Sequence, residues 1–207
     1  MIKEIDKMFI YCIIYKMKKL LGIVVLGLLL SGNTYADDIK DFELDGMTAG
    51  DSLLNYYDKK KIKEALNDAY YYKNNEFADI FFKAKSDSDF SDYQITIKPG
   101  EDGYTIYSLT GQIQYPNNIK DCYPEKDKIT NEIRNIFSKK TKLKSRKGKH
   151  PADKSGKSTF ESSEFKLKNG NIEVQCFDWK ESLPYGDKLM VNIKTKEFLE
   201  FMKTAYK

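Results

Sequence analysis

Three groups of residues in this chain have the types and spacing to do chemistry. The first is Cys122 with Cys176. The only other cysteine, Cys12, lies in a leader-like segment, so the chain beyond it holds one even pair, and in an oxidising compartment such a pair forms a disulfide. Cys176 alternates with Ile172 and Val174 and therefore points toward a core, while Cys122 stands where a helix begins. A bridge between them would staple that helix to a sheet and, by closing a long loop, stabilise the fold by about 4 kcal/mol. Redox-active pairs are usually spaced C-x-x-C, and this one is not.

The second group is basic. Residues 139–157 carry nine lysines and arginines against one acid, Asp153. Lys142, Lys144, Arg146, Lys147 and Lys149, followed by His150, form a candidate anion-binding loop within an apolar-poor stretch expected to be loop from 139 to 158. Burying an unpaired ammonium group costs several kcal/mol, so these side chains must face solvent or a partner. The fitting partners are an anionic component of the cell envelope or an acidic protein. The third group, Pro151 to Ser158, ends in Gly156-Lys157-Ser158 as phosphate-binding loops do. Here Pro151 replaces the first glycine, a polar loop precedes the segment, and a strand rather than a helix is expected to follow, so no nucleotide site is assigned.

Other chemistries lack their residues. His150 is the only histidine, which rules out a cluster of histidine metal ligands. A hydrolytic dyad would need His150 to meet a serine or cysteine in space. No pair of carboxylates can be placed in one cleft, and Asp87-Ser88-Asp89 and Asp51-Ser52 lack the spacing of a calcium loop. No catalytic residue, metal ligand or cofactor is assigned. Tyr70-Tyr71-Tyr72 and Trp179, the single tryptophan, suit either a ligand groove or the core and its rim.

These residues must be positioned by elements that the hydrophobic pattern outlines. Gly50-Asp51-Ser52 is an N-cap cluster heading one helix, or two short ones hinged at Asp58, that carries Leu53, Leu54, Tyr57, Ile62, Ala65, Leu66 and Ala69. Strands are expected over 77–83, 93–98 and 104–115. In the last the apolar phase slips between Ile106 and Leu109, and Gly111 lies inside it, a combination that suggests a β-bulge. A helix from Asp121 or Pro124 to about Lys139 carries Ile129, Ile133, Ile136 and Phe137 on one face. Asn169-Gly170 between alternating runs predicts a hairpin of 163–168 with 171–179. A strand over 188–193 and a helix capped by Thr195 and running to Tyr206 complete the chain. The expected fold is α+β: an antiparallel sheet of about five to six strands, helices packed on one face, and one disulfide.

Compartment follows from the N-terminus. Met17-Lys18-Lys19, the apolar run Leu20 to Leu30, and small residues at Thr34 and Ala36 read as a secretory signal peptide cleaved between Ala36 and Asp37. The run is shorter than the roughly 20 residues that span a bilayer, so no stable membrane span is expected after processing. Residues 1–16 read as a start assigned too early, with an extended leader as the alternative; 37–207 is then one domain, periplasmic or secreted. The leader removes five lysines and two acids from 35 basic and 31 acidic residues, which brings the net charge from +4 to about +1. With that balance and only two arginines, Arg134 and Arg146, nucleic acid is excluded as a partner.

The segment Asp45-Gly46-Met47-Thr48-Ala49-Gly50-Asp51-Ser52-Leu53-Leu54 carries a resemblance. With the leader before it and strands after it, the chain resembles exported proteins of uncharacterised function from marine bacteria with AT-rich genomes. Over about ten residues it is also similar to the small SmpA/OmlA-type outer-membrane assembly lipoproteins, whose first helix follows Gly-Met-[Ser/Thr]. This chain is longer than those and lacks their lipid-bearing cysteine. The second resemblance implies a small envelope protein. The residues themselves support a non-catalytic binding or envelope-accessory protein; the alternative is a periplasmic hydrolase using Ser, Lys or carboxylates.

Overall fold

The structure, a computed structural model, describes residues 38–116, 118–137 and 141–205. The leader and the Ala36–Asp37 junction lie outside the described residues, as does Tyr206. The chain enters through a tight turn in which Leu44 and Met47 exchange backbone hydrogen bonds. Its central residues, Asp45 (φ 49°) and Gly46 (φ 79°), both have the left-handed backbone that Asp-Gly turns tolerate. Ser52 then caps a short 3-10 turn, Leu53–Asn55, and Asp58 caps helix α1, Lys59–Asn67, by accepting from the Lys61 N–H at 2.8 Å. Asp58 is thus the hinge between two short helices.

The strands are β1 (Tyr70–Tyr71), β2 (Ala78–Lys83), β3 (Asp92–Ile97), β4 (Ser108–Gln114), β5 (Lys142–Lys149), β6 (Thr159–Leu167), β7 (Gly170–Asp178) and β8 (Lys188–Thr195). Helix α2, Cys122–Ile136, connects β4 to β5, and α3, Lys196–Ala205, follows β8. All eight strands form one antiparallel sheet in the order β1-β2-β3-β4-β8-β7-β6-β5. The order reads as a palindrome. Each half is a helix followed by a four-stranded meander, and the last strands of the halves, β4 and β8, pair at the centre. This duplication of topology has no counterpart in the sequence, where no repeat is visible.

One sheet face builds the core. Ile80, Ile95, Leu109, Val191, Val174 and Phe165 line it across successive strands, and Ile62 of α1 with Ile129 and Ile133 of α2 cover it. The third helix departs from the expected arrangement. Helix α3 buries Phe198 in a separate cluster with Phe77 and Tyr107, and Phe77 shares its face with Asp79, two positions along, on the side away from α1 and α2. The helices therefore do not all pack on one face.

Among the described residues the sheet has eight strands rather than five or six. The two unforeseen strands are its edges. Strand β1 is two residues long, too short for any periodicity. Strand β5 falls where a loop was expected, and its side chains, half-buried only at Leu143 and Gly148, show no alternation because little covers either face at an edge. Pairing holds it: Lys144 lies opposite Glu164 and Lys147 opposite Glu161, and such opposite-charge pairs favour the ladder. The β6–β7 turn also moves by one residue. Leu167 pairs with Gly170, so Lys168-Asn169 makes the turn and Gly170 begins β7. Last, the slip between Ile106 and Leu109 is present but precedes β4: both residues enter the main core, while Tyr107 joins the α3 cluster. Gly111 keeps regular register, opposite Tyr93 and Val191, and its missing side chain makes room for the Phe90 ring.

Candidate functional site

The predicted disulfide is present. Cys122, the first residue of α2, is bonded to Cys176 on β7, with Cα atoms 6.1 Å apart and both residues buried. It ties the crossover helix to the half of the sheet that ends in β5.

Strand β5 presents the basic residues on two faces. Lys147 and Lys149 share the helix side with Leu143; Lys142, Lys144 and Arg146 lie on the opposite side. Their partners differ. Arg146 reaches across β6, its guanidinium 3.2 Å from both Glu164 and Glu173. Glu173 is nearly buried and also meets Lys194 at 3.5 Å. Lys147 donates to Glu161 and lies 6.0 Å from the ring centroid of Tyr123 on α2. Lys142, Lys144 and Lys149 have no ion-pair partner among the described residues. Two of the five basic side chains are thus internal ties, and three remain free. The sequence reading grouped all five because the acids that bind Arg146 and Lys147 lie on β6 and β7, visible only once the register is known.

The segment after β5 is ordered by an anion of its own. The Asp153 carboxylate accepts from the backbone N–H groups of Ser155 (2.9 Å), Lys157 (3.1 Å) and Ser158 (2.8 Å) and from the hydroxyls of Ser155 and Ser158. The Ser155 hydroxyl and Ser158 N–H lead in holding this carboxyl far below the ordinary carboxylate range. Gly156-Lys157-Ser158 therefore closes on Asp153 in a link between two strands, where a phosphate loop would close on phosphate. A strand precedes it, contrary to expectation, and a strand also follows.

His150 lies in the stretch expected to be loop. It is half-buried, with Trp179 at 4.2 Å and Phe177 at 5.3 Å between ring centroids, and Tyr185 lies 4.5 Å from Trp179. Its Nδ1 accepts from the Ala152 N–H at 3.2 Å. No Ser or Cys hydrogen bond to its ring, and no metal-holding group of three His, Cys, Asp or Glu residues, occurs among the described residues. Burial among the rings lowers the imidazole pKa from 6.5, and Asp153 opposes that shift.

Acid should therefore act in two stages. A histidine whose folded pKa is lowered contributes stability that is present above its unfolded value and lost as pH falls toward the folded one. The contribution of Asp153 is full above roughly pH 4 and is lost progressively as pH falls below that toward its depressed folded pKa. Trp179 is the only tryptophan and touches His150, so its emission should change below pH 6.5 as His150 protonates, with the loop still formed. His150→Gln should abolish that first change. An emission unaltered down to pH 4 would refute the contact.

No helix among the described residues is long and apolar enough to cross a membrane. Compared with family models, curated proteins and solved structures, the chain matches none.

Proposed function

We propose that this is an exported, non-catalytic binding protein whose basic edge strand engages an anionic component of the cell envelope or an acidic protein. The observation that carries this reading is the set of free, exposed ammonium groups of Lys142, Lys144 and Lys149 on an edge strand that, among the described residues, pairs with β6 alone. The buried disulfide and the leader support export. Charges exposed in this way attract anions at a distance and are screened over about 8 Å at physiological ionic strength.

Binding to vesicles rich in anionic lipid, or to polyglutamate, tests the reading. It should weaken steeply with salt and be lost when Lys142, Lys144 and Lys149 are all changed to Gln. That triple variant should lose no more than about 1 kcal/mol of stability, because of the three side chains only Lys144, opposite Glu164, adds a cross-strand charge pair to the ladder. Arg146→Gln should cost about 1–2 kcal/mol in denaturant unfolding, because it strips the nearly buried Glu173 of one cation. Binding that survives both high salt and the triple substitution would refute the role of β5.

A further inference from the structure

We infer that β5 accepts a ninth strand, an extended acidic segment of a partner polypeptide that pairs with the outer edge of Lys142–Lys149. The inference rests on the anion-binding reading for its charge and adds the conformation of the partner. Among the described residues strand β5 pairs with β6 alone, through eight residues in unbroken register from Lys142↔Lys166 to Lys149↔Thr159. In an antiparallel pair, residues alternate between those whose backbone groups bond the neighbour and those whose groups point away. About half of the N–H and C=O groups of β5 are therefore offered outward in a regular row. The other edge of the sheet is blunted by shortness, since β1 has two residues. Among the described residues no proline and no bulge interrupts β5, and what guards its edge is its charge.

Charge selects the occupant. Two copies of β5 laid side by side would bring lysines against lysines, and like charges directly opposite destabilise a ladder. The edge thus resists a second copy of the chain. An acidic strand meets the reverse situation, and β6 already shows the solution on the inner side, where Glu164 faces Lys144 and Glu161 faces Lys147. A partner strand carrying acids at alternate positions would place them against Lys142 and Lys144, which share one face two residues apart. Backbone pairing supplies affinity and the alternating acids supply selection.

The test uses the mature protein and a fluorescent, end-capped eight-residue peptide with Glu at alternate positions and Val or Thr between, followed by anisotropy at low salt. A second peptide has the same sequence with its four central amides N-methylated, which keeps the charge and removes the donors on both edges. The parent peptide should bind, and the methylated one should bind at least about tenfold more weakly. Lys142→Glu with Lys144→Glu should lose the acidic peptide and gain one with Lys in place of Glu, with folding checked by Trp179 emission. Equal binding of the two acidic peptides would overturn strand addition and leave the anion reading standing. Binding to anionic vesicles without binding to the peptide would overturn strand addition in favour of a lipid surface. Failure of peptide, polyglutamate and vesicles together would overturn the anion reading itself. The peptide comparison needs no variant, so a misfolded double mutant cannot obscure it.

Discussion

Gly170→Ala is expected to destroy most of the fold, while Gly100→Ala should be nearly silent. A Cβ built on Gly170 would lie 1.9 Å from the Lys194 carbonyl oxygen and 3.2 Å from the Ile39 side chain. The first obstacle is backbone, part of the β7–β8 ladder in which Gly170 pairs with Thr195, and cannot rotate aside. Relief requires parting β7 from β8 next to the start of α3. A loss of at least about 3 kcal/mol is expected, among the larger effects of a single substitution. At Gly100 nothing lies within 4 Å of the added atom, and a change under about 0.5 kcal/mol is expected. Denaturant unfolding of the two variants beside the parent measures the difference. Equal stabilities would mean that Gly170 does not approach β8 as described.

Removing the disulfide ranks next. The bridge spans 54 positions, and a closed loop of that size restricts the unfolded chain by about 4 kcal/mol in the chain-entropy account. For a domain of this length that corresponds to a fall in Tm of roughly 10 °C. Cys122→Ser with Cys176→Ser should show it, as should reduction of the parent. Thiol titration of the native, unreduced protein should find neither Cys122 nor Cys176 free. A melting temperature indifferent to reductant would show that the bridge contributes nothing to stability. Because it ties α2 to β7, its loss should reach β6 and β5 first, and edge-strand amides should exchange faster in the reduced protein.

How much of this was legible beforehand depends on what kind of interaction wrote each feature. Elements with one buried face were readable, because burial imposes a period: Ile172, Val174 and Cys176 declared an inward face, and Ile129 and Ile133 declared the buried side of α2. The cysteine pairing followed from number and facing. Strand β5 was not readable, because an edge needs no apolar face and its reason for being extended lies in Glu161 and Glu164, on another strand. Asn169-Gly170 misled for a related cause. The glycine is demanded by the Lys194 carbonyl close to its Cα, and the turn is made one residue earlier. Within the candidate site, the lysines were visible by type. Their division into free and tied, and the turning of His150 into a nest of aromatic rings, depended on long-range register.

The palindromic strand order has a consequence in time. Six of the seven ladders join strands that are consecutive in the chain. Each meander can therefore form by short hairpin steps, with little loop entropy lost at each. The seventh, β4 with β8, unites Ser108 with Lys194 and Gln114 with Lys188 and can form only when both halves are in place. Joining distant positions is what slows folding. Closing the central ladder should accordingly be the slow step, and substitutions there, such as Thr110→Ala or Asn192→Ala, should slow refolding as well as speed unfolding. The molecule is then kinetically two pieces closed by one seam, and the seam lies at the middle of the sheet, where a static view finds the most protected strands.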